Sequence, residues 1–425
     1  MDFVTVVKNV WGAISGLGAS LLLPIIITIL GLVFGQKLRT ALRAGITLGA
    51  GFISLNLVIG LLIGQMVPVV DVMVKATGSN LDIFDVGWGI AGAIAWGTQA
   101  GSLVVLVCLG TNLVMLLFKL TKTLNVDIWN FWNQAFTASV SYIASGSLAW
   151  AMVAAAIHTV YELWIADITA KDVQEFYSLP GISIPHGWAV SSVPIIAGVN
   201  WVLDRIPGVK DIHWDESGIR EKWGIFGEPL FLGVLLGVGV GLFGGLWKEP
   251  VKLLTLGMTI GTAMILIPKI IGFFMEALTP IAESARTYMA KHFGGREFYI
   301  GLDSAVLIGH PITVAAGIIM IPVVLGLALI LPGNRVLPFG DLAATFYFVA
   351  MVPFMSKGNL FRSIVCGAVI FTVVLYACTS FGSSLTQMAT DIGYAVPEGV
   401  VDITGMSAGN WLSAVLFQVG RLFGG

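Results

Sequence analysis

The stretch VGWGIAGAIAWGTQAGSLVVLVCLGTNLVMLLF (86–118) contains no charged side chain and is interrupted at its middle by Gly97, Thr98 and Gln99. A helix of about 20 residues crosses about 30 Å of hydrocarbon, so this stretch is too long for one straight span. A polar break at membrane depth is tolerated where the backbone lines a cavity inside the protein. The sequence therefore predicts membrane-embedded helices that are broken around an enclosed polar site.

A second broken stretch, DSAVLIGHPITVAAGIIMIPVVLGLALIL (303–331), has its interruption at His310 and Pro311. An offset of 212 positions aligns the two interruptions, because Gly97 then coincides with Gly309. The same offset aligns Thr47 with Thr259, Gly49 with Gly261, Ile53 with Ile265, Ile59 with Ile271, Gly60 with Gly272, Pro68 with Pro280 and Asp71 with Glu283. We infer two repeats, 1–212 and 213–425.

The composition agrees with a membrane protein. Of 425 residues, 57% are hydrophobic and 11% are charged, with a mean hydropathy of +0.92. Soluble domains carry about 25% charged residues. We predict an all-α polytopic membrane protein with about 10–11 transmembrane helices, as span length dictates, plus re-entrant hairpins. The net charge of −2 gives no reason to expect a nucleic-acid partner.

The charged segments between apolar runs predict the orientation. Segment 36–43 carries Lys37, Arg39 and Arg43, whereas 70–85 carries one Lys and three Asp. Cytoplasmic loops are enriched in Lys and Arg, so the first segment is expected inside and the second outside. In the second half 247–252 carries two Lys and one Glu, whereas the later segment, 283–297, carries Arg286, Lys291 and Arg296 and is therefore expected inside. This reversal predicts inverted repeats, each with an odd number of crossings.

These repeats divide the chain into predicted domains. In the first repeat, 1–70 holds two clean helical spans, near 14–34 and 44–66, and 71–203 forms a core. In the second repeat, 225–283 holds the equivalent spans, 229–247 and 254–275, and 284–425 forms the core. The hydrophilic linker 204–224 is expected in the cytoplasm, either as a solvated loop or as a docking surface for a partner.

Polar and ionisable residues at membrane depth are candidate solute ligands, because they are costly to place there. The candidates are Thr98, Gln99, Asp127, His158, Glu162, His186, Asp303, His310, Asp341 and Asp402. Each has a structural alternative. Thr98 can bond its own helix, His310 can be a satisfied core residue, and Asp127 and Asp341 can cap helices. His158 and Glu162, one helical turn apart, can pair with each other.

These residue types suit a neutral polyhydroxylated solute, whose hydroxyl groups both donate and accept hydrogen bonds. Catalytic motifs such as a Walker A loop, a GxSxG elbow or an HExxH sequence are missing, so no cofactor, metal site or self-contained catalytic centre is expected. Cys108, Cys366 and Cys378 each lie in an apolar run without CxxC spacing, which predicts buried and unreactive thiols.

Four strings resemble a known family: FYIGLDSAVLIGHPITVAAG (298–317), LDIFDVGWG (81–89), GEPLFLG (227–233) and LPFGDLAAT (337–345). They are similar to the galactitol-type IIC membrane component of the sugar phosphotransferase system, in a superfamily shared with ascorbate permeases. The resemblance covers nearly the whole chain. It implies a homodimer in the bacterial inner membrane, with a V-shaped dimerising domain and a core domain that moves like an elevator.

The resemblance also implies partners and binding residues. The partners are a IIA component carrying a phosphohistidine and a IIB component carrying a phosphocysteine that phosphorylates the solute. Thr98 with Gln99, His186 and the segment 303–310 fall where core-domain binding residues are expected. Asp127, His158 and Asp402 rest on the repeat symmetry. The three apolar cysteine surroundings do not suit a phosphocysteine, so the phosphoryl donor must be another chain.

Two further functions remain open. An ion-coupled secondary transporter could use Asp303, Asp402 or Glu162 as a proton or sodium site. An ascorbate-type phosphotransferase permease would share the fold and the partners.

Overall fold

The computed structural model describes residues 19–77, 81–125, 131–214, 229–292, 297–338, 340–394, 401–422 and 424. The first half of the chain contains α1 (Ala19–Val33), α2 (Leu38–Thr77), β1 (Ile83–Asp85), α3 (Trp88–Gly97), α4 (Gln99–Leu117), β2 (Thr123–Asn125), α5 (Trp132–Ser145), α6 (Leu148–Tyr177), β3 (Ile182–Ser183) and α7 (Gly187–Leu203).

The second half contains α8 (Pro229–Phe243), α9 (Pro250–His292), β4 (Tyr299–Gly301), α10 (Pro311–Ile330), β5 (Val336–Leu337), α11 (Thr345–Phe348), α12 (Val352–Met355), α13 (Leu360–Phe381), α14 (Ser383–Asp391), β6 (Asp402–Thr404) and α15 (Trp411–Arg421). Short 3-10 turns at Ser304–Leu307, Leu342–Ala344 and Met406–Ala408 follow three of the strands.

The helices fit a multi-pass membrane protein, as the composition predicts. Within the described ranges, four helices are both long and apolar enough to cross a bilayer: α4, α6, α10 and α13. Helices α2 and α9 have 40 and 43 residues. At 1.5 Å per residue each extends about 60 Å, well beyond about 30 Å of hydrocarbon. The ends of α2 and α9 therefore continue past the apolar spans that the sequence marks at 44–66 and 254–275.

Both predicted breaks are confirmed. Thr98 separates α3 from α4, and its Oγ1 accepts a hydrogen bond from the Gly101 N–H at 2.9 Å. His310 directly precedes α10, and its Nδ1 accepts from the Ile312 N–H at 3.2 Å. Each break therefore starts a membrane-spanning helix with a side chain that satisfies one of the unpaired N–H groups of its first turn.

Six short strands form two parallel sheets, with strand orders β5-β1-β6 and β2-β4-β3. The central strand of each sheet comes from one half of the chain, and its two neighbours come from the other half. In the first sheet Ile83 pairs with Val336 on one side and with Asp402 on the other. Because the strands are parallel, the residues that follow them meet at one edge of each sheet.

Glycines bring α8 and α9 into close contact. A Cβ atom added at Gly233 would lie 2.6 Å from Gly261 Cα, and one added at Gly237 would lie 2.7 Å from Gly257 Cα. Each helix thus presents two glycines four residues apart, and the two pairs face each other in opposite chain directions. Small residues at this spacing let helices pack closely in a membrane. The glycine-rich run that begins at Gly237 therefore serves helix packing.

Replacing Gly261 with leucine is expected to lower the free energy of unfolding by about 1–3 kcal/mol, the usual range for overpacking. The reason is that a Cβ atom there would lie 2.7 Å from the Leu230 carbonyl oxygen. Chemical unfolding of the purified protein in detergent measures the change. Gly239→Ala on the same helix pair is the matched control, because a Cβ atom at Gly239 meets no atom within 4 Å. Equal stability of the two variants would contradict the glycine contact.

Candidate functional site

Polar side chains gather where the strands of the β2-β4-β3 sheet end. His186 follows β3, and Asp303 and Ser304 follow β4. The Ser304 Oγ lies 3.0 Å from His186 Nδ1, and His186 Nε2 lies 3.9 Å from Asp303 Oδ2. The other oxygen of Asp303 accepts a hydrogen bond from the Ala305 N–H at 2.7 Å. The structure therefore brings together two candidates that are distant in the sequence, His186 and Asp303.

Two aromatic rings border this group. The His186 ring lies 4.8 Å from the Trp188 ring and 6.4 Å from the Tyr347 ring, measured between centroids. Trp188 and Tyr347 meet edge to face at 5.2 Å. We call these residues, with Asp303 and Ser304, the His186–Asp303 cluster. It combines aromatic surface, an imidazole and a carboxyl group, which together suit a solute with both C–H and O–H groups.

The geometry of the cluster fits a hydroxyl group. A separation of 3.9 Å between His186 Nε2 and Asp303 Oδ2 is too long for a hydrogen bond. When Ser304 donates to His186 Nδ1, a neutral imidazole carries its proton on Nε2. A hydroxyl oxygen placed beside both groups can then accept from Nε2 and donate to the carboxylate. The arrangement can thus bind one hydroxyl group through its donor and its acceptor functions at once.

The edge of the other sheet holds a different polar group, centred on Asp85 at the end of β1. Asp85 Oδ1 accepts from the Gly87 N–H at 3.1 Å and from the Met406 N–H at 2.9 Å. Its Oδ2 accepts from the Asp341 N–H at 2.7 Å. Asp85 is fully buried. It was not among the sequence candidates, although LDIFD ahead of VGWG parallels YIGLD ahead of SAVL and could have identified it.

Asp341, which was a candidate, completes this second group. Its Oδ1 accepts from the Trp88 N–H at 2.6 Å, and its Oδ2 accepts from the Ser407 N–H at 2.8 Å and from the Ser407 hydroxyl at 2.5 Å. We call Asp85 and Asp341 the aspartate pair. Asp341 provides a helix cap, as the structural alternative predicted, but it caps α3 in the other half of the chain.

The structure places His158 and Glu162 inside the helix bundle. His158 Nε2 lies 3.2 Å from Glu162 Oε1, and the side chains are 0% and 1% exposed. Gln134 on α5 donates to Glu162, and Thr137 on α5 contacts His158 Nδ1 at 2.8 Å. The predicted pairing of the two residues is confirmed. In this conformation both are enclosed by protein.

The residues at the two helix breaks contact side chains outside the His186–Asp303 cluster. Thr98 Oγ1 lies 2.7 Å from the Ser139 hydroxyl, and the Gln99 side chain is exposed. The His310 ring stacks against Phe176 at a centroid distance of 4.7 Å. These three candidates lie at the beginnings of α4 and α10, and their role in solute binding stays a prediction.

Asp402 belongs to an ion-pair network at the start of the β5-β1-β6 sheet. Arg335 bonds both carboxylate oxygens of Asp82, at 2.8 and 2.6 Å, and lies 3.5 Å from Asp402. Thr386 donates to Asp402 at 2.9 Å. The hydrogen bond from Arg335 holds the pKa of Asp82 below its usual range. Asp127 lies outside the described residues.

Apolar helices that cross a bilayer, broken at two points and enclosing polar side chains, define a multi-pass membrane transport protein. The chain belongs to the EIIC-GAT family, the sugar-specific permease component of the phosphotransferase system, whose family model matches residues 13–399. This confirms the family resemblance. Such components work with IIA and IIB partners and a sugar substrate.

Relatives in Escherichia coli support the assignment. The chain is 38% identical to a "Putative permease IIC component" of strain K12, over 96% of this chain and 93% of the relative. It is 37% identical to the "PTS system galactitol-specific EIIC component" of strain K12, over 91% of this chain and 85% of the relative. A galactitol-specific EIIC component of strain O157:H7 shows the same identity and coverage.

Replacing Asp85 with asparagine is expected to lower the free energy of unfolding by about 2–4 kcal/mol, because an amide N–H₂ then faces a backbone N–H that needs an acceptor. Both Asp85 oxygens accept from backbone N–H groups, so neither orientation of the amide avoids this. Chemical unfolding in detergent measures the loss. Asp391→Asn is the control, because the Asp391 side chain accepts a hydrogen bond from the exposed Gln387 side chain rather than from a buried backbone N–H. An Asp85→Asn variant as stable as the control would contradict the role of the aspartate pair.

Proposed function

We propose that this chain carries galactitol, or a closely related polyol, across the bacterial inner membrane for phosphorylation by a IIB phosphocysteine. The observation that carries the proposal is the His186–Asp303 cluster, in which an imidazole nitrogen and a carboxylate oxygen lie 3.9 Å apart beside the rings of Trp188 and Tyr347. The relative named as galactitol-specific supports this solute class. In the proposal the chain supplies the binding site and the path, and IIB supplies the phosphoryl group.

The strand order supports inverted repeats. In chain order, β1, β2 and β3 of the first half correspond to β4, β5 and β6 of the second. Exchanging the halves turns the order β5-β1-β6 into β2-β4-β3, which is the order of the other sheet. In the proposal the two sheets enter the membrane from opposite faces, and the two groups of polar residues at their inner ends lie near its middle.

Contacts between loops support the cytoplasmic assignment of one face. Gln36 donates to Ser284, Lys122 pairs with Glu297, and Asp204 pairs with Arg362. Gln36 precedes α2 and Ser284 lies in α9; Lys122 follows α4 and Glu297 follows α9; Asp204 follows α7 and Arg362 lies in the first turn of α13. In the proposal these segments lie at the same face of the membrane. The basic residues there include Lys37, Arg39, Arg43, Lys119, Lys122, Lys171, Arg205, Lys210, Lys357 and Arg362. Such an excess is typical of the cytoplasmic face.

An elevator movement would displace the core (71–203 and 284–425) against the helix pairs of 1–70 and 225–283, which form the V-shaped dimerising domain in this proposal. Packing along one boundary supports it. A half-open apolar groove of 390 Å³ lies between α8 and α10 and is lined by Leu235, Gly239, Ile318 and Pro322 among others. The two helices are therefore not close-packed along this stretch, which favours sliding there.

The linker 204–224 is the proposed docking surface for IIB. Its described part is fixed to the core domain, because the Asn359 side chain donates to the Ile212 carbonyl at 2.8 Å and the Leu360 N–H donates to the Trp214 carbonyl at 2.7 Å. A partner bound there would move together with the solute cluster. This would keep the phosphoryl donor close to the exit of the site.

Proteoliposomes containing the purified protein test the coupling. With labelled galactitol outside and phosphorylated IIB inside, we expect accumulation of galactitol phosphate. With unphosphorylated IIB the expected accumulation is at background level. Uptake against a gradient that is driven by an imposed proton or sodium gradient, without phosphorylated IIB, would show that the protein is an ion-coupled transporter instead.

Substitutions test the site. We expect Asp303→Asn and His186→Ala each to weaken polyol binding at least about tenfold, which corresponds to the loss of one hydrogen bond to a charged or polar group. Gln99→Ala and His310→Ala are expected to reduce binding as well while leaving the dimer folded. Binding of labelled polyols to the purified protein measures each effect, with Asp391→Asn as a control. Unchanged affinity in both break variants would contradict a role for the breaks, and unchanged affinity in both cluster variants would contradict the site.

A further inference from the structure

The buried pair His158 and Glu162 on α6 is not explained by solute binding or by the shape of the fold. Under the offset of 212, the equivalent positions on α13 are Ile370 and Val374, which are both buried and apolar. The second half thus has aliphatic side chains at the positions equivalent to His158 and Glu162. Buried ionisable groups are expensive in a membrane protein and mark a function by default.

The hydrogen bonds of Thr137 determine where the imidazole proton is. Thr137 Oγ1 contacts the Asn133 carbonyl oxygen at 3.0 Å, His158 Nδ1 at 2.8 Å and the Ser413 hydroxyl at 2.7 Å. A hydroxyl has one proton and a carbonyl oxygen can only accept, so the Thr137 proton goes to Asn133. His158 Nδ1 and Ser413 must then donate to Thr137. The His158 proton is therefore on Nδ1.

This tautomer leaves a lone pair on Nε2, facing Glu162. His158 Nε2 and Glu162 Oε1 lie 3.2 Å apart, and among the residues that the structure describes neither atom has a hydrogen-bond partner elsewhere. Two lone pairs at this distance in a buried site repel each other unless a proton lies between them. The second carboxyl oxygen, Oε2, accepts from the Gln134 amide. We propose that His158 and Glu162 form a proton-binding site that holds one proton between Nε2 and Oε1.

The surroundings favour a neutral pair. The packed helices bring Cys108 from α4, Gln134 and Thr137 from α5, and Ser413 from α15, the last through Thr137. Tyr161 precedes Glu162 on α6, and its hydroxyl donates to the Val190 carbonyl. Within the described residues, no basic side chain other than His158 pairs with Glu162. Without the shared proton the pair would have an uncompensated negative charge inside the bundle.

The bound proton connects three helices. Glu162 and His158 are on α6, Gln134 and Thr137 on α5, and Ser413 in the first turn of α15. The continuous chain of hydrogen bonds therefore joins the last helix of the second half to two helices of the first half. Loss of the proton would put the Glu162 carboxylate against the Nε2 lone pair and weaken this junction.

The direction in which stability changes with pH follows from the number of protons that the folded and unfolded states bind. In the unfolded chain Glu and His have pKa values of about 4.3 and 6.5, so above about pH 7 an unfolded pair does not hold the shared proton. The folded pair holds it. Unfolding then releases one proton, and the unfolding equilibrium constant rises up to about tenfold per pH unit, so stability falls as pH rises.

The test measures the free energy of unfolding of the full-length protein in detergent, by chemical denaturation, at several pH values between about 7 and 9. Linkage predicts that this free energy falls as pH rises, and the slope of that fall is the readout. Glu162→Gln keeps both hydrogen bonds, since its amide donates to Nε2 and its oxygen accepts from Gln134. We expect this variant to fold and to lose the pH-dependent slope attributable to the pair. Glu297→Gln removes an exposed surface carboxylate and is expected to keep the slope.

A second variant keeps the test decisive if Glu162→Gln does not fold. His158→Ile with Glu162→Val reproduces the apolar residues of α13 and removes both ionisable groups. It is also expected to lose the slope, whatever its absolute stability. A slope in either folded variant equal to that of the parent protein would overturn the proposal. Because unfolding is measured without solute, the result is independent of whether the polyol site is correct.

Discussion

Backbone N–H groups at the inner ends of short strands impose the main constraint on this structure. In a fully buried site no water is at hand to accept their hydrogen bonds, and each unpaired group is costly. Asp85 and Asp341 accept from the N–H groups of Gly87, Trp88 and Asp341 and from those of Met406 and Ser407. Two carboxylates thereby tie together three points where a strand ends and a helical segment begins.

The two sheets share one architecture but carry different polar groups. At the inner edge of β5-β1-β6, backbone donors occupy the carboxylate oxygens, which leaves the aspartate pair fully buried and closed. At the inner edge of β2-β4-β3, the positions after the strands hold His186 and Ser304 beside Asp303, with a gap of 3.9 Å between imidazole and carboxylate. One edge is closed by backbone hydrogen bonds, and the other is the proposed ligand site. The proposed function depends on this difference between the two sheets.

The sequence predicts the membrane class and both breaks, because long uncharged runs and polar interruptions are local signals. It does not predict the six strands, since two or three residues are too few to show a period of two. Asp85 was missed for a related reason, because two of its three donors come from residues more than 250 positions away. The ends of α2 and α9 were missed because those parts of the helices are not uniformly apolar. His186 and Asp303 were identified separately, and only the sheet brings them together.

The exchange of strands between the halves bears on how such a chain can be made and how it can arise. As the first half leaves the ribosome, β1 has neither of its neighbours, which are encoded far downstream in β5 and β6. Completion of that sheet must wait until the second half has been inserted, so the core assembles late, from helices already in the bilayer. Under the proposed inverted repeats, an ancestor with one repeat would lack both neighbours of its central strand. In that proposal two copies in opposite orientations would supply these strands to each other, and a dimer of oppositely oriented copies would precede the fused chain.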